Sequence, residues 1–491
     1  MKARFPLYIC ICILHLLLFS CNNRWDDFST DPDDVLSFST DTVAFDTIIS
    51  TIMTPYRSLM VYNRNSKPLR ISSVSLQNGV GSAYKINIDG RNSADNTFQD
   101  LEIREKDSLY ILVSAKPTES GQNLPQDITD HLQFVTNGVL QEVVLSGTTQ
   151  DVFLWRGRTI SRDTILGAEK PYLIFDSLVI DEGVNVSIAA GAVFYMHNLA
   201  EWVVKGSLKA HGTLDKPIVI RGDRFDNYVD IPYDHVPGQW GGIYLESGSY
   251  DNELTHVRIR NGLYGLLCAP SDTLQSKMKM SNVVMTNFKG FLLYAVNCKI
   301  EADNCELSNA KDGLLILTGG SYRFNHCTIV NYYMSNQEAG WGNSDNETVW
   351  LLSTYRTSLE DEGVTLPIGR ADFFNTVIWG NGAGSDITIG DTMAIRSYFM
   401  NCVIPNATAT NDSIDDPNAQ VVHCLIHEDP KFRKIRSDDL SYDFRLDSLS
   451  PARNIANPLY ASELPLDLDG KNRFTDTAPD IGAYEYQPEN E

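Results

Sequence analysis

The sequence is poor in positive charge: 40 Lys and Arg side chains stand against 63 Asp and Glu, and the formal net charge at pH 7 is −23. Nucleic acids and anionic membrane surfaces attract clustered Lys and Arg. We therefore expect no nucleic-acid partner. A free polyanion is disfavoured as a ligand for the same reason, unless a cation bridges the negative charges.

Beyond its first twenty residues the sequence also lacks any apolar stretch long enough to cross a bilayer as a helix. Residues 1–20 begin with Lys2 and Arg4 and continue with the apolar run 7–19, which predicts a signal peptide. The following "LFSC" resembles the lipobox of bacterial lipoproteins. That resemblance implies cleavage before Cys21 and a lipid on its thiol. An ordinary secretory signal with an incidental cysteine is the alternative.

A lipidated Cys21 implies an outer membrane lipoprotein of a Gram-negative bacterium, with the lipid as its contact with the membrane. Residues 21–34 are polar and acidic and contain Pro32, so they predict a flexible tether. Asp26 and Asp27 resemble the acidic tag that sends some lipoproteins to the cell surface. A periplasm-facing protein with a plain solvated linker is the alternative.

Residues 35–150 lack cysteine, which excludes the disulfide that joins the two sheets in antibody domains. Their short apolar runs, among them 42–48, 69–76 and 109–115, are separated by Gly, Asn, Asp and Pro and predict a β-sandwich. The stretches "VYNRNSKPLRISSV" and "LQFVTNGVLQEVVLSGT" resemble bacterial immunoglobulin-like domains of the ASH/MSP type. We expect a spacer or interaction module without chemistry of its own.

The rest of the chain is rich in self-similarity, which is the signature of repeat architectures. Seven segments can be aligned so that a short strand with inward-facing residues has a mostly polar position on each side. We call each set of aligned positions a column. The first polar column is His256, Asn282, Asn304, His326, Asn375, Asn401 and His423. The position after it holds Val257, Val283, Cys305, Cys327, Thr376, Cys402 and Cys424. The second polar column is Asn261, Asn287, Asn309, Asn331, Gly380, Asn406 and Glu428.

The spacing of the first column predicts the fold. Its members lie 22 residues apart at 282, 304 and 326, and again at 401 and 423. That is too short for a propeller blade, and the consensus of leucine-rich repeats is absent. We predict an all-β chain, a β-sandwich followed by a parallel β-helix of roughly 22-residue coils with three strands each. One strand of each coil carries the position that follows the first polar column. The other two strands carry pairs of inward-facing residues. The predicted pairs are Met278/Met280, Ile300/Ala302, Tyr322/Phe324 and Ser397/Phe399 on one strand and Leu266/Cys268, Phe291/Leu293 and Leu314/Ile316 on the other.

The cysteines of these columns are interpreted as structural. His326 and Cys327 are adjacent in a strand, so their side chains diverge and cannot readily bind one metal ion. The stacked pairs Cys305–Cys327 and Cys402–Cys424 lie within reach of a disulfide. Straight stacking gives poor disulfide torsions, so we expect buried thiols instead.

The asparagines of the first column predict ladders of side-chain amides that hydrogen-bond from coil to coil. They also predict bends in the left-handed conformation, which Asn tolerates better than most residues. The ladder positions are Asn282, Asn304, Asn375 and Asn401.

The earlier coils carry further motifs. "GSLKAHGTLDKPIVI" (206–220) and "GQWGGIYL" (238–245) resemble right-handed parallel β-helix proteins of the pectate-lyase-like superfamily. The closing "DPKF", "LDLDGKNRF" and "PDIGAYEY" are similar to the last segment of such proteins. The resemblance covers about 165–486 and implies a right-handed β-helix over 160–435 and a capping segment over 436–491. It implies no single activity, because the superfamily holds lyases, hydrolases and adhesins.

The predicted outer face has few residues that could carry catalysis or bind a cation, since no cluster of carboxylates repeats along one column. Arg258 and Glu306 share the outward position beside the Cys column and are interpreted as a surface ion pair. Further along, the outward residues are apolar and predict a cover, supplied by an inserted loop, the C-terminal tail or a partner. These apolar residues are Val377, Trp379, Val403, Pro405 and Leu425.

Two longer excursions, 224–240 and 332–372, are the expected places for function. Aromatic rings can stack on sugars, and carboxylates can bond hydroxyl groups or Ca²⁺. The candidate glycan-binding residues are Trp341, Trp350, Tyr332, Tyr333, Tyr355, Trp240 and Tyr233. The candidate acidic residues are Asp226, Asp230, Asp234, Glu306, Glu338, Asp345 and Glu347. Rings that only anchor a loop, and an ordinary polar corner loop, are the alternatives.

These observations favour an envelope-anchored, non-catalytic glycan-binding or surface scaffold protein. A polysaccharide lyase or glycoside hydrolase is the first alternative, and a hydrolase needs two carboxyl groups about 5–10 Å apart. An adhesin or assembly partner is the second, and it predicts that the apolar face stays open to an envelope protein. No cofactor is required, and Ca²⁺ is the ion that the carboxylates of 224–240 would suit.

Overall fold

The computed structural model describes residues 27–228, 231–333, 348–358, 361–380, 387–390, 394–405, 419–436 and 439–488. The predicted signal peptide and Cys21 lie outside these residues. The chain divides into two compact units, Met1–Asp151 and Val152–Glu491. Among the described residues, no helix has the length and apolar character needed to cross a bilayer.

The first unit is a β-sandwich of two five-stranded sheets. Its strands are β1 (Ser37–Phe38), β2 (Thr42–Ile49), β3 (Arg57–Tyr62), β4 (Leu69–Leu76), β5 (Tyr84–Ile88), β6 (Arg91–Asn92), β7 (Thr97–Ile103), β8 (Ser108–Ala115), β9 (Gln126–Thr136) and β10 (Val139–Gln150). The sheet orders are β1-β3-β8-β5-β6 and β2-β10-β9-β4-β7. Neighbouring strands are antiparallel except β2 and β10, which run parallel. A short 3₁₀ turn, Gly79–Gly81, lies between β4 and β5.

The sequence predicts most of these strands but misses β7 and β9 and the two-residue strands β1 and β6. The reason in β9 is Asp130, which is 2% exposed and occupies an inward position between apolar residues. Its Oδ1 accepts hydrogen bonds from the backbone N–H of Asn78 at 3.2 Å and of His131 at 2.7 Å. A buried carboxylate that is bonded by backbone in this way interrupts the apolar alternation on which strand prediction rests.

The second unit winds into a parallel β-helix, a single sheet of 26 strands within the described residues. The strands of its first half are β11 (Phe153–Ile160), β12 (Thr164–Leu166), β13 (Tyr172–Ile180), β14 (Asn185–Ile188), β15 (Val193–Met196), β16 (Glu201–Val204), β17 (Ser207–His211), β18 (Ile218–Gly222), β21 (Gly242–Leu245), β22 (Asn252–Thr255), β23 (Val257–Arg260), β24 (Leu266–Cys268) and β25 (Met278–Ser281). Those of its second half are β26 (Val284–Phe288), β27 (Phe291–Asp303), β28 (Glu306–Ala310), β29 (Gly313–Asn325), β30 (Thr328–Asn331), β31 (Val349–Leu352), β34 (Ile368–Phe374), β35 (Val377–Gly380), β36 (Ile387–Ile389), β37 (Ile395–Met400), β38 (Val403–Ile404), β39 (Ala419–Val422) and β40 (Leu425–Ile426).

Five smaller elements within the described residues complete this unit. The excursions contain the two-stranded hairpins β19–β20 (Asn227–Tyr228 and Ile231–Pro232) and β32–β33 (Thr354–Tyr355 and Val364–Thr365), and the first excursion also holds a 3₁₀ turn, Tyr233–His235. The C-terminal segment forms the hairpin β41–β42 (Phe432–Arg436 and Ser441–Leu446) and a short helix α1 (Pro458–Ala461).

Each coil contributes three strands, and successive coils pair in parallel register, as β13 with β16, β14 with β17 and β15 with β18. Stacking therefore places equivalent side chains in columns, and the Met278, Ile300 and Tyr322 column is buried as predicted. Aromatic rings extend this core along the axis. Phe324 stacks on Phe373 at 5.1 Å between ring centroids, and Phe373 on Phe399 at 4.9 Å.

The predicted register of the third strand is wrong by one residue. Leu293 pairs with Leu315, so Leu315 and Leu317 continue the interior column in place of the predicted pair, Leu314 and Ile316, although Leu314 is also buried in the core. All four residues are apolar, and an uninterrupted apolar run contains no period of two that could fix which residues face inward. For the same reason Phe291, predicted to face inward, is only half-buried.

The bends of the first polar column have the predicted left-handed conformation. The φ angles of His256, Asn282, Asn304, His326, Asn375, Asn401 and His423 are 47°, 57°, 53°, 51°, 48°, 50° and 54°. Asn and His accept this region more readily than β-branched residues do. The column therefore marks one corner of the β-helix.

The C-terminal segment lies along the side of the β-helix and supplies the predicted cover of the apolar face. Val330, Val377 and Val403 on the outside of the coils pack with Phe444 and Leu446 of the hairpin. Trp379, Leu425 and Tyr332 are partly buried against the same cluster. This contact replaces the exposed apolar patch that the sequence would otherwise leave on a soluble surface.

The predicted amide ladder is largely wrong. Only Asn304 reaches the next amide, Asn282, with an Nδ2–Oδ1 distance of 3.4 Å among the described ladder residues. The amides of Asn304, Asn375 and Asn401 instead donate to the C-terminal carbonyls of Leu466, Asn457 and Ile455 at 2.7, 3.0 and 2.9 Å. The corner turns these side chains outward, so they dock the C-terminal segment rather than one another.

The described cysteines are free thiols, including the predicted pairs Cys305–Cys327 and Cys402–Cys424. All but Cys424 are buried, and Cys424 is half-buried. Burial raises the pKa of Cys305 and Cys402 well above the usual value. These thiols accordingly behave as small core side chains.

Candidate functional site

One outer face of the β-helix changes from polar to apolar along the axis. We define the outer face as the outward side of β15, β18, β23, β26, β28, β30, β35, β38 and β40, which stack in register. Its early coils carry Tyr195, Arg221, Arg258 and Arg260. Its late coils are apolar and lie under the C-terminal segment. A ligand bound at the border between the two regions could contact the charged side chains and also fit against the C-terminal segment.

A cleft of about 330 Å³ lies at this border. Strands of the outer face contribute one side, the turn Tyr233–His235 contributes the second, and the hairpin residues from Leu440 onward contribute the third. The volume is at the lower end of the range for small-molecule sites. Its lining residues are Asp234, His235, Arg258, Ile259, Arg260, Val284, Thr286, Asn287, Glu306, Leu440, Ser441, Tyr442 and Phe444.

Asp234 joins two arginines of the outer face. Its Oδ1 lies 3.1 Å from the Arg221 guanidinium and 2.7 Å from Arg260 Nε. Burial pushes the pKa of Asp234 up, but the hydrogen bond and charge of Arg260, together with Arg221, outweigh it and lower the pKa. The turn is fixed from the other side, because Asn261 Nδ2 donates to the Asp234 carbonyl oxygen at 2.8 Å. Asp234 is therefore held ionised in the cleft.

Glu306 is the second carboxyl group of the cleft, and its pKa is shifted in the opposite direction from that of Asp234. It accepts hydrogen bonds from the Tyr484 hydroxyl and, at 3.0 Å, from Ser308 Oγ. Burial beneath the C-terminal segment raises its pKa, although both hydrogen bonds oppose the shift. The predicted surface ion pair with Arg258 is wrong, since the hydrogen-bond partners of Glu306 are hydroxyl groups.

Arg258 is the exposed cation of the cleft. Within the described ranges it has no hydrogen bond or ion pair to another side chain. Arg221 and Arg260 share the single carboxylate of Asp234, and Glu306 is biased toward its neutral form. The cleft is thus locally rich in positive charge, in contrast to the net charge of −23 for the whole chain.

Half-buried aromatic rings continue the outer face beyond the cleft. Phe175 packs on His197 at 4.1 Å between centroids, and His197 Nδ1 lies 2.6 Å from Asp223 Oδ2. Tyr195 meets Phe225 edge-on at 5.0 Å. Such rings present flat apolar faces beside polar groups, which is the arrangement that sugars require.

The first excursion brings together only some of the predicted residues. Asp226 pairs with Arg224 at 2.5 Å, and Tyr233 lies under the same guanidinium, which is 4.1 Å from its ring centroid. Trp240 is 0% exposed and belongs to the interior core, with its Nε1–H donating to the Arg260 carbonyl oxygen at 2.8 Å. The prediction that Trp240 binds glycan is therefore wrong. Asp230 lies outside the described residues.

The second excursion is described in part, and its predicted residues do not form one surface. Tyr333 is buried, and Tyr332 packs beneath the C-terminal hairpin, where the Tyr442 hydroxyl donates to its carbonyl oxygen at 3.0 Å. Trp350 is half-buried in β31 between Ile316 and Thr388, and Tyr355 is half-buried in β32. Trp341, Glu338, Asp345 and Glu347 lie outside the described residues.

The geometry gives Ca²⁺ little to bind in the described part of the first excursion. Asp226 and Asp234 each face a guanidinium rather than each other. No group of three or more His, Cys, Asp or Glu side chains among the described residues is arranged to hold a metal ion.

Several residues of the cleft were not singled out from the sequence. The signal for Arg260 was present, because "HVRIRN" places Arg258 and Arg260 two apart and so on the same side of a strand. Tyr442 and Tyr484 carried no such signal. Tyr442 lines the cleft and Tyr484 bonds to Glu306 in its lining, both from the C-terminal segment more than a hundred residues away in sequence, and no periodicity relates them to the coils.

Comparisons with known proteins add little to this geometry. No family model matches the chain, and no curated protein matches it. Among solved structures, a protein of unknown function from Porphyromonas gingivalis W83 is 16% identical, with 23% of this chain and 46% of that chain covered and a TM-score of 0.17. An ASH/PapD-like domain of human CEP192 is 10% identical, with 26% and 92% covered and a TM-score of 0.17.

A third neighbour covers more of the chain. The catalytic domain of a GH87 alpha-1,3-glucanase is 9% identical, with 76% of this chain and 92% of that chain covered and a TM-score of 0.16. Similarities at these TM-scores are too weak to carry an argument. The function of this chain has to be argued from its own residues.

Proposed function

We propose that the protein is a lipid-anchored envelope protein that binds a glycan without cleaving it. The lipid on Cys21 would hold it at the outer membrane, the tether would give it reach, and the β-helix would present the cleft. The bound segment is short, one or two sugar residues, and carries an acidic group. The observation that carries this proposal is the cleft at the border of the outer face.

The acidic group follows from charge. Arg258 is exposed and pairs with no other side chain of the described residues, while Arg221 and Arg260 share one carboxylate. A guanidinium forms paired hydrogen bonds with a carboxylate in a fixed geometry, which favours acidic over neutral sugars. Thr286, Asn287 and Ser441 line the same cleft and offer donors and acceptors to hydroxyl groups.

The test is a binding assay on matched acidic and neutral glycans, followed by titration calorimetry on the tightest ligand. Arg258→Ala should weaken binding of the acidic ligand by roughly ten- to a hundredfold, since a charge-assisted hydrogen bond contributes about 1.5–3 kcal/mol. Arg396→Ala, which removes an exposed arginine of β37, is the matched control and should leave the affinity unchanged. Equal affinities of the native protein for acidic and neutral glycans would contradict the charge argument.

A glycoside hydrolase is the second candidate, and one observation favours it. Asp234 and Glu306 line the same cleft, and their pKa values are displaced in opposite directions. Two carboxyl groups whose environments push their pKa values apart are the pairing that hydrolases use. New reducing ends that appear with the native protein and not with Glu306→Gln would replace the binding proposal with this one.

The apolar outer face no longer favours the adhesin alternative. It required an open apolar face, and the outward side chains of Val330, Val377 and Val403 are buried under the C-terminal segment. No lyase step is proposed, because the cleft offers an exposed arginine but no described group of carboxylates for a bridging cation.

A further inference from the structure

A hollow of about 580 Å³ lies at the first coil of the β-helix. Its lining comes from β11, β12, the turn between them and the start of β13, and it shares no residue with the cleft. The volume lies within the range of small-molecule sites. The proposed glycan binding does not use this hollow, so its chemistry has to be argued from its own residues.

The floor of the hollow is made of aromatic rings. Phe153 and Trp155 each lie against Tyr172, with ring centroids 5.1 and 4.9 Å apart. Their register partners in the next coil are Tyr172 and Ile174, which are buried, so both rings stand at interior positions of the first coil. Both are only partly buried against the core, because β11 is the terminal strand of the described sheet. A flat apolar surface is therefore open to a ligand.

One interior position of the first coil carries a cation. Arg158 pairs in register with Leu178, and Leu178 pairs with Trp202, both of which are fully buried. The first coil thus has an arginine where the following coils have core side chains. Arg158 is exposed, and its guanidinium lies 5.6 Å from the centroid of the Trp155 ring. This position brings its charge to the rings rather than to the outside of the coil.

The hollow is positively charged as a whole. A second arginine, Arg162, lines it and is likewise exposed, and neither arginine has an ion pair among the described residues. The acidic residues of the same coil, Asp163 and Glu169, do not line it, and Asp163 accepts the backbone N–H of Asn185 at 2.8 Å. The hollow therefore combines positive charge with aromatic rings, in a chain whose net charge is −23.

We propose that the hollow binds a small organic anion, a carboxylate attached to a flat aromatic ring. The ligand ring packs against Trp155 and Phe153 beside the Arg158 guanidinium. The carboxylate accepts paired hydrogen bonds from Arg158, the geometry that a guanidinium favours. Arg162 adds a second charge, and the Thr159 hydroxyl group in the same lining adds a further donor.

Protection of the strand edge is a competing explanation for Arg158. Gly157 has a φ angle of 54°, and the register shifts between Arg156 and Arg158. A bulge and an inward-pointing charge both keep an edge strand from pairing with another chain. That explanation requires only Arg158 and the bulge. It leaves Arg162, the open rings and the volume of the hollow without a role, and these features favour a ligand.

The experiment is titration calorimetry of the full chain with two aromatic carboxylates, naphthoate and benzoate, and with naphthylmethanol as the neutral analogue. We expect the native protein to bind naphthoate at least tenfold more tightly than naphthylmethanol. Arg158→Gln should weaken naphthoate binding roughly tenfold, because it removes a charge-assisted hydrogen bond. Arg64→Gln is the matched control and should bind normally, since Arg64 is an exposed arginine 4.9 Å from the Tyr62 ring in the sandwich.

Two further variants test the floor and the place of the site. Trp155→Leu keeps an apolar side chain but loses the ring, and it should weaken naphthoate binding roughly fivefold. Arg258→Ala, which alters the cleft, should bind naphthoate with the native affinity. A loss of naphthoate binding in Arg258→Ala would place the anion in the cleft and overturn the proposal.

The charge argument gives the remaining outcomes. The proposal is overturned if the native protein binds neither carboxylate, if it binds naphthoate and naphthylmethanol equally, or if Arg158→Gln binds like Arg64→Gln. Self-association of Arg158→Gln on size-exclusion chromatography, without naphthoate binding by the native protein, would assign the arginine to edge protection. Should Trp155→Leu fail to fold, the two arginine variants and the neutral analogue still decide.

Discussion

At the scale of single residues, the corner asparagines have two roles that can be separated. Asn375 and Asn282 share the left-handed conformation, with φ angles of 48° and 57°. Asn375 also accepts the Asn457 N–H at 2.7 Å and donates to the Asn457 carbonyl at 3.0 Å, and it lies 2.9 Å from His326 Nε2. Asn282 bonds to Ser281 and Asn304 and makes no hydrogen bond to the described part of the C-terminal segment.

Asn375→Ala should destabilise the protein by about 3 kcal/mol, because alanine lacks the side-chain amide that makes the left-handed conformation tolerable and leaves buried groups unpaired. Asn282→Ala should cost about 1 kcal/mol, because it loses the same conformational preference and only the 3.4 Å contact with Asn304. Chemical unfolding of both variants measures the difference. Equal losses would mean that the bonds to the C-terminal segment add nothing.

Burial of Glu306 predicts a pH dependence of ligand binding. The pKa of this carboxyl group is raised, so as the pH falls it takes up its proton at a higher pH than an ordinary glutamate does. Neutralisation removes a negative charge from the cleft, and an acidic ligand should therefore bind more tightly at the lower pH.

Calorimetry between pH 8 and pH 5 checks this expectation, at pH values where the ligand itself stays ionised. Glu306→Gln should bind with the higher affinity throughout this range and lose most of the dependence. A native affinity that is constant with pH would show that Glu306 does not titrate beside the ligand.

At the scale of elements, the C-terminal segment depends on one buried arginine. Arg473 is 0% exposed and pairs with Glu485 at 2.6 Å. Its guanidinium also donates to Asn304 Oδ1 at 2.9 Å and to the carbonyls of Gly482 and Ala483. The cation thus joins the segment to a corner asparagine of the β-helix.

Arg473→Leu should detach the segment, because it removes the partner of the buried Glu485 carboxyl group and the donor to Asn304 Oδ1 and two carbonyls, at a cost of about 3–5 kcal/mol. Limited proteolysis should cut the segment, and a hydrophobic dye should bind to the uncovered apolar face. Arg436→Leu removes a half-exposed surface pair with Asp439 and is the control, with an expected loss below about 1 kcal/mol. Equal resistance of both variants to protease would argue against this role of Arg473.

The same segment explains what could and could not be predicted from the sequence. The coils were predictable because each repeats a local pattern, and even the bends at Asn304 and His326 carry a residue-type signal. The cleft could not be predicted, because it depends on Tyr442 and on the contact between Glu306 and Tyr484. Both tyrosines belong to a segment that docks by shape and by single hydrogen bonds. Such contacts leave no period in the sequence.

At the scale of the whole molecule, the two units have separate cores. Phe134 lies in the core of the sandwich, and Phe373 in that of the β-helix. Both are 0% exposed, so each substitution by alanine should cost about 3–5 kcal/mol in its own unit.

Hydrogen exchange by mass spectrometry measures where each loss falls. Phe134→Ala should speed exchange in β2–β10 and leave β13–β40 at the native rate, and Phe373→Ala should do the reverse. Faster exchange in both units of either variant would show that they unfold together.

The long interval between two corner residues has a practical consequence. His326 and Asn375 are 49 positions apart, yet Phe324 still pairs with Phe373 and Thr328 with Val377, as residues 22 apart do elsewhere. The extra chain between Asn331 and Ile368 therefore leaves this stacking intact, while β31 within it adds its own strand to the sheet. A foreign peptide grafted into the hairpin β32–β33, outside β31, would be displayed by the native scaffold with its register intact, and this hairpin is a natural position for epitope or affinity-tag insertion.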